Sequence, residues 1–211
     1  MPVLAYILTA LAAYLLGSIP SGFLAAKARG IDIRTVGSGN IGATNAFRIL
    51  GKSAGVIVLL ADALKGWAAV QVAAPLVAQI VPGASLNDLR LAAGVTAILG
   101  HNYTCWLGFK GGKGIATSAG VLLALVPWAL LIILGIWIIL ILLTRFVSVG
   151  SLAASFTLPI ATWFTTGHDP GLTAVTGAMG VLAFYRHRRN IRRLIEGTEN
   201  RIEFRKKEAA P

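Results

Sequence analysis

Between residues 108 and 118 the sequence reads GFKGGKGIATS, two lysines among glycines with long apolar stretches on either side. Glycines let backbone N–H groups converge on an anion, and a helix start adds a favourable dipole. Lys113 is then a point charge in a glycine nest that opens a helix. A second stretch, VGSGNIGATNAFR at 36–48, allows similar close approach. There Ser38, Asn40, Thr44 and Asn45 offer hydrogen-bonding groups, and Arg48 offers a planar fork for phosphate. The competing reading of the first nest is helix-packing glycines with topogenic lysines; that of the second is a polar connecting loop with a capped helix.

Two further groups carry chemistry. In YRHRRNIRRLIEGTENRIEFRKKE, His187 and Asn190 are three apart and share one side of a helix. From Arg192 onward the arginines read as a solvated, lipid-touching face. Asp62 and Lys65, also three apart, fall inside an apolar stretch, where ionisable groups need a partner. They are either a structural ion pair or a support for a site.

Other chemistries fail on spacing. No GxSxG elbow and no nearby carboxylate pair is present, and the fifth residue after His101 is Trp106, not the aspartate of an H-x-x-x-x-D box. Leu107 and Gly114 stand where a Walker A loop needs glycine and Ser or Thr. GSGNIG at 37–42 matches GxGxxG formally, but Asp62, twenty residues on, lies in an apolar span and not in a soluble βαβ unit. The single cysteine, Cys105, excludes an internal disulfide, and three scattered histidines leave no Cys/His cluster, so neither metal nor cofactor is expected.

The elements that position these residues must be membrane helices. Of 211 residues 56% are hydrophobic and 13% charged, and the mean hydropathy is +0.75. Charged side chains are absent from 1–26, 66–87, 91–109, 114–144, 146–167 and 170–185, and about 20 apolar residues suffice to span a bilayer. The first stretch has no basic segment before it and reads as a retained helix. Placing the basic residues on one face predicts an all-α protein of seven transmembrane helices, N-terminus outside and C-terminus cytosolic. The spans fall near 3–26, 54–80, 86–105, 113–126, 128–145, 148–166 and 171–187. The 31 uncharged residues of 114–144 give about 46 Å at 1.5 Å each, short for two spans; a tight hairpin near Pro127 is required, with six helices as the alternative. One membrane-embedded domain over 1–200 and a basic tail over 201–211 complete the organisation. The net charge of +11 follows from topology and anionic headgroups, so no nucleic-acid partner is expected.

Together SGNIGATNAFR, the run from Gly100 to Thr117 and HRRNIRRLIEGTE from His187 to Glu199 resemble the three cytoplasmic motifs of the bacterial acyl-phosphate:glycerol-3-phosphate acyltransferases, the PlsY family. GSIPSG at 17–22, DALKG at 62–66 and RFVSVGS at 145–151 are similar to its intervening helices. The resemblance runs from about Leu15 to Glu199; NYTCWLGF at 102–109 departs from the usual proline and phenylalanines after the histidine.

The resemblance implies transfer of a fatty acyl group from acyl phosphate to glycerol 3-phosphate, giving lysophosphatidic acid and phosphate in phospholipid synthesis. It implies a multi-pass protein of the bacterial inner membrane with a cytosol-facing site, and the enzyme that makes acyl phosphate as a partner. Ser38, Thr44, Asn45 and Arg48 would grip the donor, and Gly111, Gly112, Lys113 and Gly114 the acceptor phosphate. Ser151, His187 and Asn190 would be neighbours, with Asp62, Lys65 and Glu199 as supports. Which nest takes which phosphate stays open. Without a visible triad, the leaving phosphate is expected to accept the hydroxyl proton, with no metal and no acyl-enzyme; His187 as general base is the rival. On physics alone a transporter or sensor of organic phosphates remains the alternative, against which stand loop-borne nests and the lack of an internal repeat.

Overall fold

In lipid every backbone polar group must be satisfied within the chain, so apolar runs of this length become helices. The computed structural model describes residues 2–202, and those residues form helices and connecting loops without a strand. The basic tail expected over 201–211 lies, from residue 203 on, outside the described residues. The chain divides into two compact units between Leu130 and Leu131.

In the first unit α1 (Pro2–Ser18) and α2 (Ser21–Lys27) are separated at Ile19–Pro20, where the expected first span is broken because proline has no N–H and biases Ile19 away from helix. The loop 28–42 follows, then α3 (Ala43–Leu50) and α4 (Lys52–Ala68). A π-turn, Ala69–Ala73, joins α4 to α5 (Ala74–Ile80) without ending the span. After α6 (Leu86–Asn102) a short 3-10 turn, Cys105–Leu107, leads through the glycine run into α7 (Ile115–Leu125).

Small residues set how closely these helices approach. On α1 the buried side is Ala5, Thr9, Ala13 and Gly17, one residue per turn, and it packs on α6. A Cβ on Gly17 would overlap the Ala97 carbonyl. Between α4 and α7 the same device recurs, since a Cβ on Gly120 would overlap the Ala63 carbonyl. Apolar chains gain little by leaving lipid for protein, so backbone proximity and van der Waals contact hold such pairs. The large aliphatics face outward instead, as at Ile7, Leu11, Leu60 and Leu64.

Most of α8 (Pro127–Thr144) belongs to the second unit, with α9 (Val147–Thr165), α10 (Pro170–Arg186) and α11 (Arg188–Ile195). Val126 leaves helical geometry at φ −142° and Pro127 starts α8, so one helix ends and the next begins at the point where a hairpin is expected. Helix α9 buries Ser148, Ser151, Ser155, Leu158 and Thr162 at alternating three- and four-residue steps and packs on α10. Pro159 has no N–H to offer the Ser155 carbonyl, and Gly180 of α10 leaves room beside that carbonyl.

Pro2–Lys27, Lys52–Ile80, Pro127–Thr144 and Val147–Thr165 are the four helical segments among the described residues that are long and apolar enough to cross a membrane. Helices α6 and α10 have 17 residues each. The 11 residues of α7 measure about 16 Å, roughly half the hydrocarbon thickness, shorter than the span expected over 113–126.

Candidate active site

Loop 28–42 is folded around one buried amide. Asn45 in the first turn of α3 is 1% exposed, and its Oδ1 accepts the Ser38 N–H at 3.0 Å while its Nδ2 donates to the carbonyls of Ile33 and Val36 at 3.2 and 3.1 Å. Gly37, at φ +60°, turns beneath that amide where a Cβ would strike Oδ1. Asn40 Oδ1 accepts the Gly42 N–H at 2.8 Å and closes the turn before the helix. The sequence places Asn45 and Asn40 among ligand-binding groups; in the structure their amides bind the loop itself. Thr44 and Arg48 are exposed on the surface of α3 and Ser38 is half-buried. Arg34 is occupied by Asp32, whose carboxyl it draws down to about 2 through side-chain and backbone hydrogen bonds. Arg48 has no ion-pair partner among the described residues.

The second nest is tied to the end of α6. Gly111 and Gly112 donate their N–H groups to the carbonyls of Asn102 and His101, each at 3.1 Å. Those two amides therefore shape the loop, and the first turn of α7 that follows has N–H groups with no acceptor within the helix. Gly114 caps that turn at φ +81°, a left-handed conformation glycine adopts without strain. A Cβ there would stand 2.7 Å from the Asn102 side-chain oxygen. Lys113 is half-buried. Leu107, just before the nest, packs on the cluster of Ala26, Ile33, Ile41 and Ala46 that carries the first loop. Beside them an apolar notch of about 300 Å³ is lined by Ile19, Pro20, Phe23, Leu24, Trp106 and Leu107.

Asp62 and Lys65 are buried, 1% and 5% exposed, with Lys65 Nζ 2.7 Å from Asp62 Oδ1. Lys65 also donates to the Ile19 carbonyl at 2.7 Å, at the α1–α2 break. The sequence reading of this pair omitted His101, whose Nδ1 lies 3.6 Å from Asp62 Oδ1. A signal for it existed: a histidine ending an apolar helix requires a polar partner, and Asp62 is the acid within those apolar stretches.

The second unit holds its own cluster. His187 caps α10, 2% exposed, with Nδ1 2.8 Å from the Ala183 carbonyl. That contact requires the proton on Nδ1, so the neutral ring presents Nε2 as an acceptor. Glu199 gathers three donors: Ser148 Oγ at 2.8 Å, Asn190 Nδ2 at 2.6 Å and Arg193 Nε at 2.8 Å. Burial opposes ionisation of Glu199, yet these bonds outweigh it and hold its carboxyl below the ordinary glutamate value. Asn190 Oδ1 is buried and unpartnered among the described residues. Ser151 Oγ accepts from Trp137 Nε1 at 3.2 Å. Among the described residues no three His, Cys, Asp or Glu side chains group as metal ligands.

Residues 7–197 match the family model described as Glycerol-3-phosphate acyltransferase. Two curated relatives carry that same name. One, from Endomicrobium trichonymphae, is 47% identical over 195 residues, covering 92% of this chain and 94% of the relative. The other, from Geobacter sulfurreducens, is 46% identical over 198 residues, covering 93% and 97%. The fold is similar to crystal structures of PlsY, an integral membrane glycerol 3-phosphate acyltransferase. Its glycerol 3-phosphate form superposes with a TM-score of 0.83 at 38% identity, covering 94% of this chain and 96% of that one. Its lysophosphatidic acid form gives 0.80 at 37%, covering 94% and 95%.

Proposed function

The chain belongs to the glycerol-3-phosphate acyltransferase family, and we propose that it draws the acyl group from acyl phosphate. It is a multi-pass integral membrane acyltransferase, and membership in an enzyme family removes the transporter or sensor reading. The observation that carries the donor proposal is an apolar notch reaching Leu107, the residue before the second nest, which packs on the apolar cluster that carries the first. Glycerol 3-phosphate and acyl phosphate each bring a phosphate, and the acyl tail needs the notch.

In this reading the loop of 36–48 takes the donor, with Arg48, Ser38 and Thr44 toward its phosphate and carbonyl, and Asn45 and Asn40 holding the loop. Lys113 and the start of α7 take the acceptor phosphate, with Gly111, Gly112 and Gly114 leaving room for it. The acceptor hydroxyl oxygen attacks the acyl carbon, the carbon–oxygen bond to phosphate breaks, and the hydroxyl proton passes to the departing phosphate. Arg48 and Lys113 stabilise the charge that develops. Ser151, His187 and Asn190 are assigned as neighbours of the substrates, supported by Glu199. A second reading makes His187 the base. Seven crossings with the N-terminus outside, one domain over 1–200, an inner-membrane location, a cytosol-facing site and association with the acyl-phosphate-forming enzyme belong to the same proposal.

Purified protein tests the donor. It should acylate glycerol 3-phosphate from acyl phosphate in excess EDTA, use acyl-CoA poorly and leave no acyl group on Ser38. Equal use of acyl-CoA, loss of activity on chelation or a trapped acyl-protein would overturn the corresponding step.

A further inference from the structure

The glycine nest rests on a histidine ring. A Cβ on Gly112 would overlap Nε2 of His101, so the loop backbone lies directly against one edge of the imidazole. On its other edge, Nδ1 lies 3.6 Å from Asp62 Oδ1. The same oxygen stands 2.7 Å from Lys65 Nζ, and Lys65 continues to the Ile19 carbonyl at the α1–α2 break. All three side chains are at most 5% exposed. The line Lys65, Asp62, His101, Gly112 is therefore continuous and buried, and it ends at the loop that precedes Lys113.

We propose that Asp62 is a positioning residue for the acceptor site: it fixes the plane of His101, and His101 fixes the backbone of Gly112 and so the aim of Lys113 and the α7 amides. This rests on the assignment of that nest to the phosphate of glycerol 3-phosphate. The physical reasons are charge and packing. A carboxylate out of water acts strongly on a nearby imidazole, and Lys65 stands beside Asp62 as its ion-pair partner at that depth. Gly112 has no side chain to cushion it from the ring, so a tilt of His101 is transmitted to the loop. The backbone bonds from Gly111 and Gly112 to the Asn102 and His101 carbonyls tie the loop to the main chain of α6, and Asp62 stands at the Nδ1 edge of the ring.

Asp62 touches no substrate in this scheme, so the signature is a shift in one Michaelis constant. Replacing both charges in D62N/K65M avoids stranding a buried lysine. Measured in detergent, this variant should fold and raise KM for glycerol 3-phosphate about tenfold, since small misplacements of binding groups cost up to a hundredfold, while KM for acyl phosphate stays within about twofold. H101Q should do the same, and the triple variant should be no worse than either, because all act through one contact. Unchanged KM for glycerol 3-phosphate in folded D62N/K65M, equal effects on both substrates, or additive losses in the triple variant overturn the proposal. If D62N/K65M does not fold, D62E decides: it keeps the charge for Lys65 but moves the carboxylate, and a wild-type KM for glycerol 3-phosphate then overturns it. A wild-type protein that does not acylate glycerol 3-phosphate sinks the functional reading. An active one in which Gly112→Ala raises that KM and D62N/K65M does not sinks the positioning role alone.

Discussion

Asn45 and Ser38 are joined by a 3.0 Å hydrogen bond from the serine N–H to the asparagine side-chain oxygen, which makes the loop before α3 a product of one buried amide. Asn45→Ala removes this bond and those to Ile33 and Val36, leaving buried groups unpaired at about 1–3 kcal/mol. The variant should melt earlier and lose activity. Asn45→Asp should be no better, because it sets carboxylate oxygen against two carbonyls. Thermal melts with and without acyl phosphate check this; a wild-type melt with wild-type activity contradicts it.

Arg48 is exposed on α3 and can be removed without opening the core. Arg48→Ala should keep the melting temperature and lower kcat/KM by ten- to a hundredfold, the equivalent of about 1.5–3 kcal/mol for a charge-assisted bond. Arg48→Lys should recover little, since a point charge does not reproduce the planar fork. Steady-state kinetics of both variants decide it.

Gly108 and Gly114 both have left-handed backbone, at φ +60° and +81°, but only Gly114 has atoms close to where a Cβ would stand. Alanine at either position should cost about 1–2 kcal/mol of strain. Only Gly114→Ala should also raise KM for glycerol 3-phosphate, because its Cβ pushes the residue before α7 against Asn102 at the end of α6. Equal KM values in the two variants would refute the placement of the acceptor phosphate there.

Glu199 predicts an acid limit for the second unit. Its folded-state pKa is lower than its unfolded value, so its stabilisation is complete above the ordinary value of 4.5 and is lost as pH falls through the folded value. Glu199→Gln should be less stable at pH 7 and should show a shallower fall below that value. Thermal melts across pH 3 to 7 measure the difference, and parallel curves for the two proteins would rule the role out.

Topology is open to cysteine labelling after Cys105→Ser. Probes near residue 50, residue 112 and the C-terminus should react from the cytosol, and probes near Asn87 or Asp169 from outside. A cytosolic Asp169 would overturn the seven-span arrangement.

The helices and the two glycine-rich, donor-bearing loops were legible in the sequence, because each rests on local chemistry: uncharged length, glycine spacing, and clustered donors next to a helix start. The helix boundary at Pro127 was legible through the proline. The direction of the amides was not. Asn45 and Asn40 carry the residue types of ligand-binding groups, yet their partners are loop atoms up to twelve residues away, and Gly111 and Gly112 spend their N–H groups on the end of α6. His101 is 39 positions from Asp62 and 11 from Gly112, and no periodicity links the three. A hydrogen bond depends on orientation within a few tenths of an ångström, and only the packing of α4, α6 and α7 through their small residues sets that orientation. The sequence by itself therefore determined that this is a membrane acyltransferase with two glycine-rich, donor-bearing loops, while the tertiary structure alone decided which of their polar groups bind the protein.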